Sequence, residues 1–455
     1  MKRRDFIKLS LVSGVSILMP SYSYASKLDI SKIDFSKRDY DAQTIIIYMY
    51  GGASQLAGNL TNIDEIKENS QSSYSAHFGD ITKTKNNFWK EAGGEYLENL
   101  LNSGDMTIYR ACYSAVREKE GNKAHGVCTE QNQKGTFDTN GAAGVVSNLA
   151  NILNSNGVLD SNTFMPFVTM EGESNFYTDG DIPTPSYLRA VGVDENFDNP
   201  YERTRWTIRN WLYYTKEERK NKNYAKSDAE GGFDPALTKK MDELAQLNNK
   251  NGKIKDALSK RGELAKFIDR IKETKTPDLG NNNYDKNSNF AKKLEAAIKL
   301  LDKSSDTKVV TMGTGGLGGW DDHNNARDYV TRANALFSAI NSAIAHLKAI
   351  GKIDKINIML FAEFGRNVNL NSANGWDHGN LQNYYIFGGK GYFNHRGVVG
   401  ETKLDVTGSL NRLWMKPKDG TEWIEPISIA ATLYKIYGID NPEVLTGGYG
   451  SVDII

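Results

Sequence analysis

Cysteine and net charge are both scarce in this 455-residue chain. Two cysteines are too few for a disulfide scaffold or a cysteine-rich zinc domain. Basic and acidic residues both number 56, so the net charge is zero and nucleic-acid binding through bulk positive charge is excluded. Beyond the N-terminus, no apolar run reaches the ~18 residues that a membrane span needs. Hydrophobic residues nevertheless make up 39% of the chain, which is enough for a sizeable core in one large domain or several smaller ones.

The first 25 residues have the layout of an export signal. A basic segment at residues 2–8 precedes a short apolar segment at residues 9–19, and Ser23-Tyr24-Ala25 offers a cleavage pattern. The Arg-Arg-x-Phe-Ile-Lys run resembles a twin-arginine (Tat) signal, which implies the Tat translocase as a partner and a periplasmic or otherwise exported protein. An amphipathic first helix and an uncleaved signal anchor are the alternatives. In an oxidising compartment Cys112 and Cys128 would either form a disulfide or remain buried thiols, and the sequence leaves both open.

Short apolar segments alternate with helical patterns along most of the chain. Strands are predicted at 44–50, 106–111, 164–170, 308–312, 355–361 and 384–387, and helices at 142–153, 328–350 and 427–437, with one more ending near residue 102. This alternation favours an α/β fold with a mostly parallel central sheet over residues 26–455. Residues 200–305 are interpreted as a charged helical insertion or cap, with helices near 235–247 and 254–272 and a loop at 280–289. The alternative for its charges is a solvated outer face.

Acidic and imidazole side chains follow two of the predicted strands. Because open α/β sheets bind ligands at the carboxyl ends of their strands, we expect these side chains to converge at one edge. The candidate metal ligands are Asp321, His323, Glu363, Asp377 and His378. Such a donor set suits Zn²⁺, Mn²⁺ or Fe, and Ca²⁺ or Mg²⁺ if oxygens dominate. The alternative is that these residues serve as turn residues and hydrogen-bond partners.

Arg366 follows Glu363 and is a candidate for clamping an anion bidentately, or for a salt bridge to Glu363 or Asp377. A second motif, the glycine run 313–318, fits G-x-G-x-x-G after a strand. It does not predict a dinucleotide site, because the following helix begins only near Asn324 and no acid lies 20 residues on.

Five segments together resemble the Tat-exported family known as domain of unknown function 1501, which is related to the alkaline phosphatase and sulfatase superfamily. The segments are residues 45–58, Ala124-His125 with Gln131, residues 319–323, residues 362–366 with 375–379, and residues 427–447. The resemblance implies an alkaline-phosphatase-like α/β/α sandwich with one or two metals at the strand ends. By position it implies Asp321 and His323 as ligands of one metal, joined by His378, with Glu363 near a second metal.

Two positions depart from the family pattern. Ser54 stands where the family has a loop acid, and Ala124 replaces the serine of its Ser-His pair. A hydroxyl is a poorer ligand than a carboxylate, and loss of the serine removes a candidate nucleophile. Ser114 and Thr129 are the nearby hydroxyls that would have to substitute.

Two hypotheses about function follow. The first is an exported, metal-dependent hydrolase of phosphate or sulfate esters, in which Glu363 is a ligand or base and Arg366 and His125 contact the anion. The second is a non-catalytic periplasmic protein on a degenerate fold, which binds a glycan or an anionic small molecule or helps to assemble an envelope structure. The substrate, the metal's identity and the oligomeric state do not follow from the sequence.

Overall fold

The computed structural model describes residues 28–171, 174–193, 273–407 and 412–454, together with residues 267, 270 and 271. Residues 23–191 and 276–455 form one compact unit, and most of the described residues belong to it. The predicted insertion therefore spans both units. Its residues 276–305 belong to the unit that contains the sheet. Most of the remainder lies outside the described residues, including the whole of the predicted helix 235–247 and residues 254–266 of the second predicted helix. The insertion itself stays a prediction.

An eight-stranded sheet forms the centre of this unit, in the order β10-β2-β9-β6-β1-β5-β3-β4. The strands are β1 (Gln43–Met49), β2 (Met106–Tyr113), β3 (Phe167–Thr169), β4 (Val191–Gly192), β5 (Val309–Gly313), β6 (Ile356–Ala362), β9 (Leu381–Gly388) and β10 (Gly397–Val399). Strand β1 pairs in parallel with β5 and β6, and β3 pairs in parallel with β5. Only β9, among these pairings, runs antiparallel to its neighbours β2 and β6. The predicted α/β fold with a mostly parallel sheet is confirmed.

The continuous apolar run of β1 is buried on both faces, as expected for a central parallel strand. Ile46 and Tyr48 belong to a core cluster that includes residues of two of the helices, Leu149 and Leu433. Ile45 and its neighbours at alternate positions point to the opposite face and are also fully buried. The sheet is thus covered on both sides.

Nine α-helices have both of their ends among the described residues. They are α1 (Ile63–Asn69), α2 (Tyr74–Phe78), α3 (Glu95–Asn102), α4 (Ala115–Glu120), α5 (His125–Lys134), α6 (Val145–Ser155), α7 (Asn289–Lys303), α8 (Tyr329–Ala349) and α9 (Ser428–Ile436). Helix α7 begins where the Ser288 side chain accepts a hydrogen bond from Ala291 N (3.2 Å), and its apolar face is buried. None of the described helices combines the length and apolar character that crossing a membrane requires.

Two short two-stranded sheets complete the described architecture. The pair β7 (Gly365–Arg366) and β8 (His378–Gly379) is antiparallel and sets Arg366 directly opposite His378. The pair β11 (Thr402–Thr407) and β12 (Arg412–Pro417) forms an antiparallel ribbon. The first pair matters most for function, because it joins two of the polar segments that the sequence singled out.

Both cysteines are buried free thiols, Cys112 in β2 and Cys128 in α5. Burial raises the pKa of both thiols. Of the two alternatives for these residues, the structure shows free thiols.

Candidate metal centre

Four side chains from three elements meet beyond the carboxyl ends of the parallel strands. His125 is the first residue of α5, Asp321 and His323 lie in the loop after β5, and His378 begins β8. One ligand atom of each lies within 4.8 Å of the corresponding atoms of the other three. The expected convergence of Asp321, His323 and His378 is therefore seen. His125, which we expected as an anion contact, joins them instead as a fourth candidate ligand.

In each imidazole of the cluster, the Nδ1 atom lies next to an acceptor oxygen. His125 Nδ1 lies 2.9 Å from Glu363 Oε1, and His378 Nδ1 lies 2.5 Å from the carbonyl oxygen of Lys123. His323 Nδ1 lies 3.3 Å from Asp377 Oδ1. A carbonyl oxygen and an ionised carboxylate only accept hydrogen bonds, so these partners place the proton on Nδ1 in all three rings. Each Nε2 atom is then left with a lone pair.

The three Nε2 atoms face one another and the Asp321 carboxylate. The Nε2 atoms of His323 and His378 are 2.8 Å apart. Asp321 Oδ1 lies 3.3 Å from Nε2 of His125 and 3.3 Å from Nε2 of His323. With Nδ1 protonated, two lone pairs at 2.8 Å repel each other unless a cation lies beside both, and the guanidinium of Arg366 lies beside that of His323 (Nη1 to Nε2, 3.3 Å). The donor set therefore fits a metal ion by its own chemistry.

The electrostatic environment keeps these groups in the forms that bind metal. Burial, supported by the charge of Arg366, lowers the pKa of His378 to about 4, so this ring is neutral at pH 7. Partial burial works to raise the pKa of Asp321, but the hydrogen bond and charge of Arg366 hold it below its usual range. A neutral imidazole and an ionised carboxylate are the forms that coordinate metals.

Glu363 lies behind the cluster and not in it. Its side chain is almost fully buried, and Oε1 accepts hydrogen bonds from Gly51 N as well as facing His125. Its other oxygen accepts a hydrogen bond from Thr129 Oγ1 (2.5 Å). These contacts do not fit the expected role of Glu363 as a ligand, because the carboxylate faces the back of an imidazole. They fit a residue that orients His125.

Asp377 has the same relation to His323. Its Oδ1 faces Nδ1 of that ring and also accepts a hydrogen bond from Asn371 Nδ2 (3.4 Å). Asp377 is consequently not part of the four-residue group, although we expected it as a ligand. Carboxylates in this position fix the orientation and tautomer of a metal-binding histidine.

Arg366 is a buried cation whose donors are already engaged. Nε donates to the carbonyl oxygen of Gly52 (2.7 Å) and Nη1 to that of Trp376 (2.9 Å). Nη2 donates to the carbonyl oxygens of Gly51 and Trp320 and to Asp321 Oδ1 (2.6 Å). The guanidinium has no solvent exposure, so it does not fit the expected bidentate clamp for an anion. Its ion pair is with Asp321, and not with Glu363 or Asp377 as the alternative interpretation had it.

The glycine pair after β1 is required by this packing. A Cβ atom on Gly51 would lie 2.5 Å from the backbone nitrogen of Asp321, and one on Gly52 would overlap the ring of Phe364. Both glycines also have positive φ angles, 108° and 74°. These two positions let the loop after β1 approach the Asp321 loop and present its carbonyls to Arg366.

The hydroxyl groups discussed above do not face the cluster. Ser54 is buried and caps the turn that follows it, and it lines a cavity of about 20 Å³ with Trp320. Ser114 accepts a hydrogen bond from Arg117 N at the start of α4, and Thr129 donates to Glu363. None of these three contacts a ligand atom of the cluster directly, so a covalent mechanism through them is not supported by the geometry.

Taken together, the fold and the site define an α/β protein with a histidine-rich candidate metal centre at the edge of its sheet. The model of the family described as "Protein of unknown function (DUF1501)" matches residues 185–446, more than half of the chain. The chain belongs to this family. No curated protein matches it.

Several solved structures are similar to the chain at low scores. One is "Ps i-CgsB in complex with k-i-k-neocarrahexaose", with 10% identity over 91% of this chain and 75% of that chain and a TM-score of 0.38. Another is a protein in the alkaline phosphatase superfamily from Vibrio parahaemolyticus, with 11% identity, 96% and 76% coverage and a TM-score of 0.35. A third is the phosphonate monoester hydrolase SpPMH from Silicibacter pomeroyi, with 13% identity, 91% and 78% coverage and a TM-score of 0.31. At these scores the similarity assigns no function.

Proposed function

We propose that this chain is an exported, metal-dependent hydrolase-like protein that acts on a phosphate or sulfate ester. One divalent transition metal ion is held by His125, Asp321, His323 and His378. The observation that carries the proposal is the convergence of three imidazole lone pairs on one carboxylate, with every Nδ1 atom anchored from behind.

The donor set favours Zn²⁺ over Mg²⁺ or Ca²⁺. Three nitrogens and one oxygen are typical of zinc and related transition metals, whereas Mg²⁺ and Ca²⁺ prefer oxygen ligands in larger numbers. A bound metal of this kind polarises a phosphoryl or sulfuryl oxygen and makes water more acidic. Glu363 and Asp377 hold His125 and His323 in the metal-binding tautomer. Water is the nucleophile, since the nearby hydroxyls face away from the cluster.

Export is part of the same proposal. Residues 1–25 carry the twin-arginine pattern, and a folded, metal-loaded protein is the kind of cargo that this resemblance implies. Cell fractionation with N-terminal sequencing of the mature protein tests it, and we expect a periplasmic protein that begins at residue 26.

The deciding experiment is metal analysis of the purified protein. We expect one equivalent of metal in the wild type and none in His323→Ala, while His77→Gln, which changes a histidine outside the cluster, keeps the metal. Hydrolysis of p-nitrophenyl phosphate and p-nitrophenyl sulfate should follow the metal content. A metal-free wild type that is folded and resists reloading with Zn²⁺ contradicts the proposal.

The second candidate is a non-catalytic protein that binds a glycan or anionic ligand at the same site. It is favoured by Ser54 and Ala124, which leave the cluster without the acid and hydroxyl of the family pattern. A wild type that binds metal but hydrolyses neither ester would favour this candidate over the first.

A further inference from the structure

The four-residue cluster has as many ligands as a closed zinc site. Structural zinc sites use four protein ligands, whereas catalytic sites use three and leave one position for water or substrate. A metal held by His125, Asp321, His323 and His378 at once would have no position left for an ester in a tetrahedral shell. A hydrolase needs one of these ligands to be exchangeable.

Asp321 differs from the three histidines in how it is held. Each imidazole is fixed at the atom opposite to its ligand atom, by Glu363, Asp377 or the carbonyl of Lys123. Asp321 is instead held through Oδ1, the same atom that faces the imidazoles. Its side chain is also more exposed than those of two of the histidines, 52% against 37% for His125 and 38% for His323. Departure of this carboxylate therefore opens the cluster toward solvent.

Arg366 provides a second partner for the same carboxylate. Its Nη2 atom lies 2.6 Å from Asp321 Oδ1, and the guanidinium is fixed in place by four backbone carbonyls. A buried cation that cannot move can stabilise the carboxylate whether or not the carboxylate also binds metal.

We propose that Asp321 is an exchangeable metal ligand, which an incoming anion displaces from the metal while Arg366 retains its carboxylate. The inference rests on the metal site proposed above. In this exchange one metal–carboxylate bond breaks and one metal–anion bond forms, and the ion pair between Asp321 and Arg366 persists. The three histidines remain as the permanent ligands.

Titration of the Co²⁺-loaded protein with azide, followed by visible absorption, tests the proposal. In the wild type azide must compete with Asp321, so its apparent affinity is reduced by the small fraction of open sites. We expect Asp321→Ala to retain Co²⁺ and to bind azide at least about tenfold more tightly than the wild type. Asp321→Asn keeps an acceptor for Arg366 and should lie between the two. Asp328→Asn, an acid at the start of α8, should match the wild type.

Each other outcome is decisive. If the wild type and Asp321→Ala bind azide equally well, Asp321 is not a displaceable ligand. If folded Asp321→Ala and Asp321→Asn both lose Co²⁺, the carboxylate is an indispensable ligand, and if azide changes neither spectrum, the site is closed; both results overturn the proposal. A folded wild type that binds no Co²⁺ refutes the metal site itself, which distinguishes failure of the proposed function from failure of this inference.

Discussion

Buried carboxylate groups lie at two opposite edges of the sheet. The protein neutralises their negative charge differently at each edge. At the amino end of β2, Asp105 has no solvent exposure and pairs with the ammonium groups of Lys348 and Lys390. At the carboxyl ends, three carboxylates and three imidazoles lie near two buried cations, Arg366, which pairs with Asp321, and Arg117, which donates to the backbone carbonyl of Glu363. The first edge is balanced by lysines of the chain itself. At the second edge, Arg366 is the guanidinium that contacts ligand atoms of the cluster, namely Asp321 Oδ1 and His323 Nε2.

This difference separates a structural carboxylate from a candidate functional one. The charge of Lys348 and the hydrogen bonds around Asp105 hold its pKa below the usual range despite burial. At the cluster, Arg366 Nη1 lies 3.3 Å from His323 Nε2, and no side-chain cation of the described residues donates a hydrogen bond to Nε2 of His125 or of His378. A metal ion contributes most to the stability of the folded state where the protein leaves acceptor groups unsatisfied.

The largest effect on stability should come from removing Asp105, the buried carboxylate that pairs with two lysines. Asp105→Ala leaves Lys348 and Lys390 without this partner and removes one of the two acceptors of the Ser103 hydroxyl. We expect the free energy of unfolding to fall by about 3 kcal/mol, the lower end for loss of one member of a buried pair, because both lysines are partly exposed. Urea unfolding measures the loss.

Metal affinity provides the control for Asp105→Ala. Because Asp105 lies at the other edge of the sheet, Zn²⁺ binding measured by calorimetry on the folded variant should be unchanged. A shift in Zn²⁺ affinity would show that the two edges are coupled and that the comparison between them fails.

The sheet could be predicted from the sequence, because its signal is local. The run Thr44 to Tyr50 is apolar and β-branched without interruption, which only a strand buried on both faces accommodates, and the observed strand is Gln43–Met49. The helix predicted at 328–350 is observed at Tyr329–Ala349 for a similar reason. The antiparallel direction of β9 had no such local signal, since an apolar run does not encode the direction of its neighbours.

The site could be predicted only in part. The position after a strand indicated that Asp321, His323 and His378 would converge, but it did not show which side of an imidazole each acid would face. Glu363 and Asp377 therefore appeared as ligands, although they lie at the Nδ1 atoms. We expected His125 to contact the anion. Its position after β2 nevertheless resembles the positions after strands that indicated Asp321, His323 and His378 as ligands. Ring orientation depends on tertiary contacts, such as Lys123 O to His378, that spacing does not reveal.

The carboxylates behind the cluster should affect metal binding more than stability. Glu363→Gln keeps the shape and an oxygen for Gly51 N but removes the charge that favours a proton on His125 Nδ1. We expect Zn²⁺ affinity to fall about 10- to 100-fold, the usual effect of losing such a partner. Asp377→Asn, whose side chain is more exposed, should have a smaller effect.

Glu425→Gln is the matched control, because Glu425 is a buried carboxylate that accepts hydrogen bonds from the first backbone amides of α4. Calorimetric titration with Zn²⁺ compares the variants. Equal Zn²⁺ affinities of the Glu363→Gln and Glu425→Gln proteins would show that Glu363 does not contribute to metal binding.

Glu171, a buried carboxyl group that follows β3, differs from Asp105 because burial shifts its pKa upward. Its two oxygens are shielded from solvent and interact with the hydroxyl groups of Tyr50, Thr311 and Ser174. Burial raises its pKa to about 7, against the opposing charge of Lys293. Since the folded state binds this proton more tightly than the unfolded state, the stabilising contribution is complete below the ordinary glutamate pKa of 4.5 and is lost as the pH rises through about 7.

Glu171→Gln should therefore stabilise the protein at pH 8 and have little effect at pH 4.5. The gain is limited to about 1 kcal/mol, because the amide is neutral but replaces one acceptor oxygen with a donor at a buried position. Thermal unfolding of both proteins at the two pH values measures the difference, and Glu120→Gln on α4 is a control for loss of one charge. A variant that is equally or less stable at pH 8 would mean that the ionised Glu171 carboxylate is already compensated. Glu171 would then resemble Asp105 in having a counter-charge provided by the protein.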